Sequence, residues 1–232
     1  MSSSSSICAR AVAATEADLG DLGRRVGAHL AVYYESGGGG RSGDNDEAPH
    51  GPRLYPHCIL LTGHPGAGKT VFARGLIRSL SNSATSSGGI PSPTFCLDFG
   101  YPIDKERHPV LAETFPHGIH HLDLYRLSGA TRSDLQSLDF FELTERAVTL
   151  VEWPDRLNDA LVTLPGALEI DIQMQDETGR QDVEKITENG DSDNEEGEGE
   201  LTEAMMEEWI SQPRSVRLTV PVSSSVWSQF TL

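Results

Sequence analysis

The chain has 232 residues, room for one large domain or two small ones, and 35 acidic against 18 basic side chains leave a net charge of −17. That balance argues against a nucleic-acid groove spread over the whole surface, because phosphates would be repelled. No run of eighteen consecutive apolar residues occurs, which argues against an ordinary membrane-spanning helix. The acidity is local: residues 176–208 hold fourteen carboxylates and two bases, net −12, leaving −5 for the remaining chain.

Residues 1–14 are Ser-rich with a single base, Arg10, and read as a short disordered tail in preference to an organelle transit peptide. Residues 15–34 read as an amphipathic helix: Leu19, Leu22, Val26, Leu30 and Tyr33 recur every three or four positions, and Thr15 with Asp18 resembles a capping box. Four consecutive glycines, acids and two prolines make residues 35–53 a flexible insertion. Cys58-Ile-Leu-Leu-Thr62 lacks polar alternation and reads as a strand buried on both faces, the habit of a parallel sheet. A helix follows over residues 69–80 with Phe72, Leu76 and Leu80 on one stripe, then a Ser/Gly-rich loop over 81–89.

A second strand is expected over residues 94–99, and the three prolines of 101–116 mark a surface excursion. Residues 118–123 and 147–152 are short apolar runs that each end in a carboxylate, Asp123 and Glu152, with one or two short helices between them. Leu168, Ile170, Ile172 and Met174 alternate with polar residues, as do Val216, Leu218, Val220 and Val222. These two strands are expected to pair antiparallel at one edge of the sheet, with Arg217 facing an acid. Residues 181–211 then form an acidic, largely disordered insertion whose composition cannot bury a core; a helical turn or docking motif over 201–210 is the lesser reading. The expected fold class is α/β: a mostly parallel sheet flanked by helices, with an antiparallel edge hairpin, in a single domain over 15–180 plus 212–224.

The three cysteines form no C-x-x-C pair, and Cys58 and Cys96 read as small core residues in a reducing compartment. The sharpest signal is Gly63-His-Pro-Gly66-Ala67-Gly68-Lys69-Thr70, which fits G-x-x-x-x-G-K-[ST] after a buried strand and before a helix. Gly63, Gly66, Ala67 and Gly68 curl the backbone so that successive N–H groups meet phosphate oxygens. Lys69 reaches the β- and γ-phosphates, and the Thr70 hydroxyl is set to ligate Mg²⁺. The chain is therefore expected to bind a nucleoside triphosphate. Such a loop needs a carboxylate at the end of a neighbouring strand; Asp123 and Glu152 both qualify, and composition does not choose between them. Trp153 is either a packing residue or an aromatic at the site, and the Thr94 hydroxyl either belongs to a turn or senses the γ-phosphate. His120 and His121 are adjacent on a strand, point to opposite faces and so do not share an ion.

Taken in order, Gly63 to Thr70, Phe72-Ala-Arg74-Gly75, Ile90-Pro-Ser92-Pro93-Thr94-Phe95, His121-Leu-Asp123-Leu124-Tyr125-Arg126 and Val151-Glu152-Trp153-Pro154-Asp155 resemble the motifs of the TsaE (YjeE) family, with Gly179-Arg180 matching a further turn. This family comprises small P-loop ATPases needed for threonylcarbamoyladenosine formation on tRNA. The resemblance implies Mg·ATP binding, with Thr70 and Glu152 as metal contacts and Asp123 as a second acid orienting water or metal. It implies Thr94 as a switch-like residue, and Trp153 and Arg180 beside the nucleotide. Hydrolysis would be slow alone and stimulated by subunits of a tRNA-modifying carbamoyltransferase complex, with tRNA met only through those partners. Cytoplasmic residence is expected, with mitochondrion or plastid as alternatives. The chain departs from the family at His64-Pro65, where Asp-Leu is usual, at Glu16, which stands where a Thr precedes Leu-Gly, and at Asp139, where a Gly commonly follows Leu138. A small-molecule kinase on the same loop and a non-hydrolysing nucleotide-sensing scaffold are the competing readings; no N-K-x-D motif supports a GTP switch.

Overall fold

The computed structural model describes residues 6–38, 54–82, 89–93, 96–157, 162–175, 213–221 and 227. Seven strands form one sheet in the order β1-β7-β6-β2-β5-β4-β3, with β1 at Ser6–Ala13, β2 at Cys58–Thr62, β3 at Asp98–Tyr101, β4 at Ile119–Asp123, β5 at Val148–Glu152, β6 at Leu168–Met174 and β7 at Arg214–Pro221. The central strands β6, β2, β5 and β4 run parallel, whereas β3, β7 and β1 join antiparallel. Helices α1 (Glu16–Glu35), α2 (Lys69–Leu80) and α3 (Pro109–Thr114) share a core with one face, through Leu19, Phe72, Leu76, Ile59 and Leu150 among others. The other face packs on α4 (Arg132–Ser137) and α5 (Phe140–Arg146) through Leu122, Leu135, Phe140 and Val151. A buried parallel centre between two helical layers is the expected α/β architecture.

Local signals explain most elements. Thr15 and Asp18 form the expected capping box at the start of α1, and Thr131 with Asp134 repeats it at α4. β6 and β7 pair as expected, with Asp171 in register with Arg217. The helices α1 and α2 cross at backbone contact: a Cβ on Gly75 would stand 2.0 Å from the Gly20 carbonyl oxygen, and one on Gly23 2.1 Å from that of Phe72. Only glycine permits so close an approach.

Five expectations are corrected. Residues 6–13, assigned to a disordered tail, form β1 on the outer side of β7, with Ala13 buried in the core; its sequence lacks alternation, and only the partner strand calls it into the sheet. The excursion at 101–116 is part of the core: Ile103, Leu111, Ala112 and Phe115 are buried, and Pro109 begins α3 instead of breaking one. The Glu35 carboxylate closes the first turn of α3 by accepting from the N–H groups of Val110 and Leu111, each at 3.0 Å. The second strand starts at Asp98, not at 94, because the Pro93 carbonyl accepts from the N–H groups of Cys96 and Leu97 and Leu97 takes a φ of 63°. That turn also leaves Cys96 exposed, while Cys58 is buried as expected; burial pushes the Cys58 thiol well above the usual thiol range. The insertion expected at 35–53 begins later than its composition suggested, since Glu35 ends α1 and the N–H groups of Ser36, Gly37 and Gly38 bond back to α1 carbonyls; its remainder, 39–53, the insertion at 181–211 and the docking motif at 201–210 lie outside the described residues.

Candidate functional site

In open α/β sheets the carboxyl ends of parallel strands face the ligand crevice. Here β2 runs out at Thr62 into the glycine-rich loop, and β4 and β5 end beside it at Asp123 and Glu152, which are in register. Leu61 of β2 is in turn in register with Glu152. The loop curls through positive φ at Gly63 (132°), Gly66 (77°) and Gly68 (103°). At Gly63 a Cβ would stand 2.1 Å from the Ile172 carbonyl oxygen, so both backbone angle and space demand glycine. Gly68 caps α2, whose first residue is Lys69, so the helix start and its positive dipole end open onto the loop.

The Lys69 ammonium donates to the carbonyls of Gly63 at 2.8 Å and His64 at 2.9 Å, and lies 4.0 Å from the centre of the Trp153 ring. Burial lowers its pKa from the usual 10.5, opposed by the charges of Glu152, Asp123 and Asp155. Trp153 takes a left-handed φ of 61°, uncommon for a bulky residue and a feature that clusters at functional sites. Its N–H is bonded to the Leu61 carbonyl, and its ring packs on Tyr125 at 4.9 Å between centroids.

Glu152 is almost fully buried. Its Oε1 accepts from the Thr70 hydroxyl at 2.8 Å and from His121 Nε2 at 2.8 Å. Asp123, equally buried, accepts at Oδ1 from the Tyr125 N–H at 2.9 Å, and its own N–H donates to the Leu97 carbonyl. A cleft of about 390 Å³ joins these groups, lined by Lys69, Thr70, Asp123, Glu152, Trp153 and, from α1, Glu16.

The structure thus brings together Gly63, Gly66, Ala67, Gly68, Lys69, Thr70, Asp123, Glu152 and Trp153; Thr94 and Arg180 lie outside the described residues. His121, which the sequence placed at the head of a family motif and excluded from a shared ion site with His120, is one of the closest neighbours of Glu152, and strand alternation signals it, since positions 121 and 123 share a face. Glu16, Ser92 and Tyr125 also line the cleft; only the fold brings Glu16 there. The donor set fits a magnesium ion. The Thr70 proton is committed to Glu152, which leaves hydroxyl lone pairs for a hard cation beside two carboxylates. Among the described residues no three His, Cys, Asp or Glu side chains converge as a cage, and magnesium characteristically leans on phosphate and water oxygens instead.

Residues 16–183 match the family model described as threonylcarbamoyl adenosine biosynthesis protein TsaE. The chain is 32% identical over 122 residues to the tRNA threonylcarbamoyladenosine biosynthesis protein TsaE of Rickettsia felis, covering 53% of this chain and 61% of that one. It is 35% identical over 107 residues to that of Mycobacterium bovis, covering 44% and 56%, and 35% identical over 95 residues to that of Streptomyces coelicolor, covering 41% and 55%. The matches to these relatives therefore span between 55% and 61% of their length. Among the described residues, no helix is long and apolar enough to cross a membrane.

Proposed function

The chain belongs to the TsaE family, and from that membership we propose that it is an ATPase of the threonylcarbamoyladenosine pathway, its ATP cycle resetting a carbamoyltransferase-type complex that modifies tRNA. The working unit is one domain that adds β1 and the buried Trp227 to the expected residues 15–180 plus 212–224, acting in the cytoplasm and meeting tRNA through its partners. The observation that carries this reading is the Thr70–Glu152 hydrogen bond, 2.8 Å, at the point where the phosphate loop meets the end of β5. It couples a metal-binding hydroxyl to an acid at the reacting end of a bound triphosphate.

Loop N–H groups from Gly63 to Gly68 receive phosphate oxygens, and Lys69 turns from the loop carbonyls to the β- and γ-phosphates. Thr70 and Glu152 would hold a magnesium ion, directly or through water, and Asp123 would orient a water or the ion. Bound there, magnesium would neutralise phosphate charge as the terminal group leaves. Trp153 covers Lys69 and keeps bulk water from its ammonium, while Thr94 and Arg180 are assigned to γ-phosphate sensing and nucleotide contact. The packing of Ile103, Leu111 and Phe115 weighs against the kinase reading, because it ties residues 101–116 into the core where a mobile lid would be needed.

The test is ATP turnover with and without the cognate carbamoyltransferase subunits, scored together with modified adenosine in tRNA. Stimulation by the subunits is expected, and Glu152→Gln is expected to keep nucleotide affinity while losing magnesium-dependent turnover. Turnover indifferent to the subunits, or phosphorylation of an added small molecule, would refute the assignment.

A further inference from the structure

We propose that His121 is a positioning residue that holds Glu152 in the orientation hydrolysis requires, an inference that rests on the ATPase reading above. Its imidazole is completely buried and lies on the same face of β4 as Asp123, two residues before it. A carboxylate oxygen only accepts, so the proton in the 2.8 Å bond to Glu152 Oε1 is carried on His121 Nε2. The second donor to that oxygen is the Thr70 hydroxyl, also at 2.8 Å. Two donors on one oxygen, one from the sheet and one from the start of α2, fix the plane of the carboxylate. They leave Oε2 as the oxygen for a metal or its bound water.

Packing alone does not account for a histidine here. The positions that precede these residues on the same faces of β4 and β5 are Ile119 and Leu150, both fully buried and apolar. An imidazole costs desolvation that an aliphatic side chain does not. Its other nitrogen, Nδ1, is buried and has no hydrogen-bond partner among the described residues, so the ring is not part of a saturated structural network. The single bond it makes goes to the acid at the reacting end of the cleft. The neighbouring cation supplies the reason that acid needs holding. Glu152 is the largest charge influence on Lys69, and a carboxylate free to rotate would pair with that ammonium and withdraw both groups from phosphate and metal. The bond from His121 prevents that collapse.

The experiment compares wild type, His121→Leu and His121→Gln, each also combined with Glu152→Gln, in the full chain with its partner subunits. Gln places an amide N–H where Nε2 stands; Leu does not. Three quantities are read: kcat and KM for ATP, the affinity for Mn²⁺ by electron paramagnetic resonance with a nonhydrolysable ATP analogue bound, and the thermal midpoint without nucleotide. Loss of a residue that orients a metal ligand costs about 10–100-fold. That loss is expected in kcat and in Mn²⁺ affinity for Leu, with KM little changed, recovery in Gln, and no further effect of Leu once Glu152 is Gln. Leu turning over like wild type, Gln failing as badly as Leu, or Leu lowering Mn²⁺ affinity equally in the Glu152→Gln background would overturn the proposal. Should His121→Leu not fold, the Gln variant decides through the same turnover and Mn²⁺ readings. A wild-type protein that binds no ATP by calorimetry sinks the ATPase reading itself, a separate failure.

Discussion

Lys69 is held by two loop carbonyls and the Trp153 ring, in a setting that burial makes unfavourable for charge and three acids make tolerable. Under the proposed function a triphosphate would replace two neutral acceptors with anionic ones, each charge-assisted bond contributing about 1.5–3 kcal/mol. Lys69→Ala is therefore expected to weaken ATP at least about 100-fold by calorimetry. The lowered pKa adds a pH dependence. Between the folded value and the ordinary 10.5, the unfolded chain keeps a proton that the folded chain has released, so stability without nucleotide rises with pH across that window. ATP bound as proposed would favour the ammonium, so binding in the same window would take up a proton. Calorimetric enthalpies that vary with the ionisation enthalpy of the buffer, and cease to vary in Lys69→Met, are the expected result.

The site depends on one helix pair. Gly23 of α1 and Gly75 of α2 let the two backbones touch, and the first turn of α1 then reaches the loop, where a Cβ on Gly68 would stand 2.5 Å from Leu19 Cδ2. Gly75→Ala puts a methyl 2.0 Å from the Gly20 carbonyl oxygen, so the helices must separate. Overpacking of this kind costs about 1–3 kcal/mol and sometimes more. A lowered urea midpoint with a parallel loss of ATP affinity is expected, because the helix that separates is the one that carries Glu16 to the cleft. Stability unchanged from wild type would mean that the crossing is looser than these distances.

Across the whole molecule the sheet separates chemistry from tolerance. The loop, Asp123 and Glu152 lie at the carboxyl ends of the central strands, while β6 and β7 pair directly, Met174 with Arg214, and the Gln175 N–H bonds to the Pro213 carbonyl at 2.9 Å. Residues 176–212 thus connect two chain ends that already meet. Deleting residues 181–208, which keeps Arg180, is expected to leave the thermal midpoint and ATP affinity unchanged, although the removed segment carries most of the net negative charge. A collapsed thermal transition after the deletion would make the segment part of the fold.

Short-range pattern was enough for the phosphate loop, for the amphipathic stripes of α1 and α2, and for the apolar runs that end at Asp123 and Glu152, because each lies in contiguous residues with a fixed period or spacing. The register that sets those two acids side by side, the bond from His121 to Glu152 and the reach of Glu16 into the cleft join residues far apart in the chain, and no local period encodes them. The same holds for β1, whose pairing is supplied by β7, and for residues 101–116, whose few apolar side chains find their place only against α1 and the sheet. Burial is a property of the partner as much as of the residue, so the linear chain named the chemistry and the folded contacts arranged it.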